Sequence, residues 1–233
     1  WALSDAPEKN IDREIQQLRH WLAQDHSLIS KMIANAMLAE KLQLTALLVQ
    51  QGKMPTLRLV PLTTAEKSFQ APLQKEFAMM AHFFIDEQYR DGNEAASWIE
   101  EIQFRAGLKK HISVNRMLPL YQHYAQLAEQ PVDAIKADQF HPDPASMSEA
   151  IRNPIGNVLL ETASPDFKQY LLRLVHLDAR MALLKQLDKP ETDNPVNNPW
   201  TPGKEDTLTR RDKQLCFRHA PDHDRYNSCL PLL

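Results

Sequence analysis

The residues with the clearest chemical potential lie in the stretch LCFRHAPDHDRYNSC, positions 215–229. Cys216 and Cys229 are the only two cysteines of the 233-residue chain, and they bracket His219 and His223. The pattern C-x2-H-x3-H-x5-C offers two thiolates and two imidazoles, the donor set of a tetrahedral zinc site. Zinc modules, however, usually separate their ligand pairs by roughly a dozen residues that fold into a knuckle or helix. Here all four donors crowd one short loop that contains Pro221. The competing reading is a disulfide closing a loop of about 14 residues, worth about 3 kcal/mol. The spacing favours the disulfide Cys216–Cys229. A metal set of Cys216, His219, His223 and Cys229 stays open beside it, as does a pair of free thiols. A disulfide predicts an oxidising compartment.

Other chemistry is harder to place. The sequence has no GxSxG elbow and no SxxK. Its five glycines stand too far apart for a P-loop or a GxGxxG turn, which excludes both common phosphate cradles. His20, His26, His82, His111, His123, His141 and His176 share no ligand spacing such as HExxH. A lone helical histidine such as His82 or His176 reads as a hydrogen-bonded interior or surface residue. Acids flank His223, but a His–Asp pair by itself names no reaction. Glu100 and Glu101 are adjacent, so on a helix they point about 100° apart and make a solvated face, not a paired-carboxylate site. A cysteine nucleophile with His219 as base would rest on adjacency alone. The expectation is therefore no catalytic residue and no cofactor.

The net charge of −3 and pI near 6.3 give no bulk attraction for nucleic acid or anionic lipid. The densest basic spot, Arg210-Arg211 with Lys213, is balanced by Glu205, Asp206 and Asp212. Phe77, Phe83, Phe84 and Tyr89, with Met79 and Met80, read as core; the competing reading has them lining a pocket for an apolar ligand.

The elements that would position these residues are helices. Ile11, Ile15, Leu18 and Leu22 recur at helical spacing over 10–24. Asp25 or Ser27 would cap a second helix, which stops at Gly52. Its residues Leu28, Met32, Ile33, Met37, Leu44, Leu47 and Leu48 form much of an apolar face broad enough for two neighbours. PTLRLVPL is an extended connector, and Thr63 with Glu66 has capping-box spacing. Pro72 opens a helix running to Asp91-Gly92, and Asn93 caps another that closes at Gly107. A further helix spans about 114–129, with Pro119 at its first turn or a kink. Ser164-Pro165-Asp166 predicts an N-cap, an N1 proline and a first-turn acid for a core helix of about six turns that ends at Lys189-Pro190. No apolar run approaches the roughly 18–20 residues that a membrane helix needs.

After residue 188 the composition shifts. PETDNPVNNPWTPGKED reads as an irregular strap anchored by Trp200, and TLTRRDKQLCF as a small hairpin. The predicted fold is mostly α: an irregular multi-helix bundle closed by a Pro-rich C-terminal strap, a small hairpin and a disulfide loop. Residues 1–188 form the helical domain, and 189–233 a Pro-rich extension packed on it.

Three stretches taken together carry a resemblance: HISVNRMLPLYQHYAQLAEQP, RNPIGNVLLETASPDFKQYLLRLVHLDARMALLKQL, and NPW with a following GK, then LCF and CLPL. Asn115, Asn153-Pro154-Ile155-Gly156 and Asn198-Pro199-Trp200 carry it, with Pro202-Gly203 a looser fit. The C-terminal half resembles a group of proteobacterial envelope proteins in which a short N-terminal membrane anchor precedes a helical periplasmic domain. The resemblance implies location and anchoring, and no activity. The resulting expectation is a non-enzymatic periplasmic binding or assembly factor of a Gram-negative envelope, of secretion-system or toxin-immunity type. It would dock a protein partner, bind no nucleic acid, and meet the inner membrane only through an anchor absent from this chain. Two alternatives stand beside it: a metal-dependent hydrolase using the His219/His223 loop, and a helical carrier of an apolar ligand.

Overall fold

The computed structural model describes residues 7–24, 27–85, 106–163, 166–187, 195–219 and 228–233. Its helices are α1 (Pro7–Ala23), α2 (Leu28–Gln50), α3 (Thr64–Lys67), α4 (Gln70–Ile85), α5 (Lys110–Leu127), α6 (Val132–Ala137), α7 (Met147–Arg152), α8 (Pro154–Ala163) and α9 (Phe167–Leu184). Five short strands follow: β1 (Val196–Asn197), β2 (Glu205–Asp206), β3 (Leu208–Arg211), β4 (Gln214–Phe217) and β5 (Leu230–Pro231). The protein is mostly α, as the periodicity predicts.

The hub is α2, which packs on α1, α4, α9 and β5. Ser27 caps its start, accepting from the Ser30 N–H. At its end Gly52 takes a left-handed φ of 65°, the Gly52 N–H bonds Val49 O, and the Lys53 N–H bonds Leu48 O. That double bond closes the helix in the Schellman manner, which favours glycine at this position. From α1, Ile11, Ile15, Leu18 and Leu22 are all buried. The broad face of α2 is only partly covered. Leu28, Leu38, Leu42 and Leu48 are buried, while Ile33 and Met37 join Ile29 in an exposed stripe at four-residue spacing. This helix is long and apolar enough, by length and composition, to cross a membrane. A search for an unbroken apolar run misses it because Lys31, Glu40 and Lys41 interrupt the run. In this structure it packs inside the bundle.

A buried ionic knot holds the connector at 55–62. Thr63 and Glu66 form the predicted capping box. The Arg19 guanidinium grips the Glu66 carboxylate with two hydrogen bonds of 2.6 and 2.9 Å, and also donates to Val60 O and Pro61 O. The buried Lys31 ammonium donates to Leu22 O at 2.7 Å and Glu66 O at 2.9 Å. Burial pushes the Glu66 carboxyl up, but the bonds from Arg19 and Thr63 outweigh it and hold the group below its ordinary range.

Several boundaries differ from the sequence reading. The fifth helix starts at Lys110, earlier than 114, so Pro119 lies in its interior. Residue 166 is the N-cap of α9, its side chain accepting from the Gln169 N–H, and not a first-turn acid. Ser164 and Pro165 lie outside the described residues. The core helix is 18 residues, about five turns, and gives way to a turn at 185–187. The short helices α6 and α7 and the strand β5 carry too few residues to show a period. The predicted helix ends at Asp91-Gly92 and Asn93, and the stop at Lys189-Pro190, lie outside the described residues.

β3 and β4 form the expected hairpin, with Arg211 opposite Gln214. The two turn residues, Asp212 and Lys213, both have positive φ, 45° and 59°. That is the mirror-image turn that matches strand twist. β5 adds to β4 as a third strand. β4 and β5 lie against α9, and the Gln50 amide of α2 clamps β5 by donating to Pro231 O and accepting from the Leu233 N–H.

Candidate functional site

The helix α9 is buried on one side and forms the floor of a cleft on the other. Phe167, Leu171, Leu174, Leu177, Met181 and Leu184 supply the core face. Phe167 lies in an aromatic cluster: it meets Tyr121, Tyr124 and Tyr170 edge-on, and Tyr121 meets Phe77 in the same way. Burial pushes the Tyr121 phenol up to about 12, with the Glu76 charge adding to the shift. Val175, Ala182 and the edges of Leu171 and Met181 face a half-open trough of about 710 Å³. That volume lies within the range of small-ligand and peptide sites.

Three elements wall the trough. On one side are the turn Ala128–Pro131 and the α6 residues Val132 and Ile135. The α6 C-terminus is held to the floor by the Lys168 ammonium, which donates to Lys136 O at 2.9 Å and Asp138 O at 2.7 Å. Cations suit a helix C-terminus, where carbonyls lack partners. At another side lie Pro61, Lys67 and Phe69. Asp178 is the acid of the lining; it accepts from the Leu62 N–H at 2.7 Å and pairs with Lys67. Its carboxylate is therefore committed to holding the connector in place.

The remaining wall is the strap, contributing Pro195, Val196, Asn197, Pro199, Pro202 and Gly203. The predicted anchor Trp200 is buried behind it. The Trp200 N–H donates to Asn198 Oδ1, the Asn198 amide donates to Asp206 Oδ2, and Lys136 reaches across to Trp200 O. The Trp200 indole N–H donates to Ser228 Oγ, whose other bond, at 2.7 Å, goes to His176 Nδ1. An indole only donates, so the serine hydroxyl accepts from it, and its contact with the imidazole takes the direction set by the His176 tautomer. Ser228 is 0% exposed. The triplet is a buried fastener, and His176 is the hydrogen-bonded interior histidine that its helical position suggests.

Cys216 and Cys229 are joined by a disulfide. Neither sulfur is a thiolate in this structure. His219 Nδ1 contacts Asp206 Oδ1 at 2.8 Å, and its side chain is largely exposed. Burial pushes the Asp206 carboxyl up, yet bonds from His219, Asn198 and Thr207 hold it below the ordinary range. His223, the remaining member of the alternative metal set, lies outside the described residues. Among the described residues no three His, Cys, Asp or Glu side chains converge as a metal requires.

The Phe/Met cluster divides. Phe77 packs against the core, whereas Met79 and Phe83 are exposed, and none of the three lines the trough. Tyr89, Glu100 and Glu101 lie outside the described residues. The trough itself was not visible in the sequence. Its nearest signal is HLDAR at 176–180, three polar residues set into the apolar pattern of α9, all buried. Comparison with protein-family models, with curated proteins and with solved structures gives no match.

Proposed function

We propose that the protein is a non-enzymatic binding factor on the periplasmic side of a Gram-negative inner membrane, taking an extended segment of a protein partner into the α9 trough. The observation that carries this is the make-up of the trough. Leu171 to Ala182 span about 17 Å of helix, the length of about five extended residues. The apolar floor would take alternate side chains. Gln130, Gln186 and Asn197 at the walls offer donors and acceptors for the backbone between them. An acyl chain could fill the floor but would leave those exposed or half-buried amides without a role. The disulfide supports the oxidising compartment.

A photo-reactive phenylalanine analogue placed at Val175 or Ala182, and at the exposed Gln74 as a remote control, tests the reading in envelope extract. The expected result is one discrete protein adduct from both trough positions and none from Gln74. A lipid adduct, or identical adducts from all three positions, would overturn it. Filling the trough with the double variant Val175→Trp and Ala182→Trp should abolish capture while leaving the helical circular dichroism unchanged.

A further inference from the structure

The disulfide stands next to the fastener that holds one trough wall. Cys229 follows Ser228 directly, and Ser228 is where the Trp200 indole and the His176 ring meet. The two rings also contact each other edge-on, with centroids 4.5 Å apart. Trp200 sits between Pro199 and Pro202, both of which line the trough. A direct route therefore runs from sulfur to wall: Cys216 on β4, Cys229, Ser228, Trp200, strap.

We propose that oxidation of Cys216 and Cys229 completes the trough, so that the wall at 195–203 seats only once the two sulfurs are joined. The reaction is thiol–disulfide exchange with a disulfide-carrying oxidant. The two thiols lose two protons and two electrons as the S–S bond forms, and the donor's disulfide is reduced to two thiols. In a reducing compartment β5 is held by the β4 ladder, the Gln50 clamp and its packing on α2 and α9, while Ser228, no longer tied through Cys229, samples positions away from Trp200. The trough is then open on that side and binding is suppressed before export. Once formed, the bond is shielded, since Cys216 is 6% and Cys229 9% exposed. The device therefore closes once and stays closed, unlike a reversible sensor.

Amide hydrogen exchange tests this without any partner. The oxidised wild type is compared with the double variant Cys216→Ala, Cys229→Ala. Wild type refolded from the reduced state with oxidised glutathione serves as the positive arm. Exchange at Trp200 and Thr201, whose amides are bonded to Asn198, should rise about a hundredfold in the double variant, the opening factor that a loop of this size is worth. Amides of α2 and α9 should be unchanged, and glutathione should restore the wild-type protection. Ser228→Ala, with the disulfide intact, should reproduce part of the rise. Unchanged exchange at Trp200 and Thr201, or a rise shared equally by the helices, would overturn the proposal; the bond would then be no more than a local or a global staple. If exchange responds as expected but the trough cross-links fail, the functional reading falls and the latch stands.

Discussion

The buried charges show how a handful of residues decide the geometry around the trough. Arg19 ties α1 to the connector, and Glu66 receives both Arg19 and its own capping-box partner. Removing the cation strands a buried carboxylate, which costs more than the pair itself contributes. Arg19→Ala should lose about 3–5 kcal/mol in urea unfolding, and Arg19→Met combined with Glu66→Leu should lose less. The same knot sets a pH dependence. Glu66 is held below its ordinary value of 4.5, so its contribution is fully present above that pH and is lost as pH falls through the depressed folded value. Urea midpoints measured from neutral pH downwards should therefore fall more steeply for the wild type than for Glu66→Gln. The capping box was legible because its spacing is local. The buried Lys31 was not, because periodicity assigns lysine to the surface; the convergence of Leu22 O and Glu66 O, with the Phe69 ring beneath the ammonium, explains its place inside.

At the scale of elements, the motif Asn153-Pro154-Ile155-Gly156 acquires a physical meaning as a joint. Asn153 accepts from the Lys109 N–H at 2.6 Å and donates to Ser113 Oγ at 3.0 Å, pinning the start of α5 to the start of α8. A Cβ at Gly156 would lie 2.2 Å from Ser113 Oγ and 2.4 Å from the Asn153 amide. Gly156→Ala should cost about 1–3 kcal/mol by thermal unfolding, with the helix content of the folded state retained. The opposite sign is expected in the hairpin. Lys213 occupies left-handed backbone without being a glycine. Lys213→Gly should gain up to about 1 kcal/mol by the same measurement. The hairpin was readable because Leu208, Leu215 and Phe217 alternate around a polar turn. β5 has only two residues, and nothing in so short a segment announces its partner.

For the whole molecule, the helical class and the strap followed from the distribution of prolines and apolar residues. The trough did not, because its walls come from stretches far apart in the chain: 61–69, 128–135 and 195–203 around 171–186. Such a site depends on tertiary packing, and no local pattern encodes it. The unequal covering of α2 was equally hidden. Ile29, Ile33 and Met37 have the same period as their buried neighbours, and only the placement of α1, α4 and α9 separates the two faces. Charging the exposed stripe, for example Ile33→Lys, should change unfolding free energy by less than about 0.5 kcal/mol, whereas Leu38→Ala should cost about 2–5 kcal/mol.

The clamp between Gln50 and β5 also sets a timetable. Gln50 bonds Pro231 O across 181 residues of chain, and α9, the other long neighbour of α2, is also made late. At about 5–20 residues per second, a ribosome would leave the α2 side chain without this partner for about 10–35 s. During that interval α2, a helix long and apolar enough to cross a membrane, has only part of its cover. Complete packing of α2 therefore waits on the synthesis of a strand 181 residues further on.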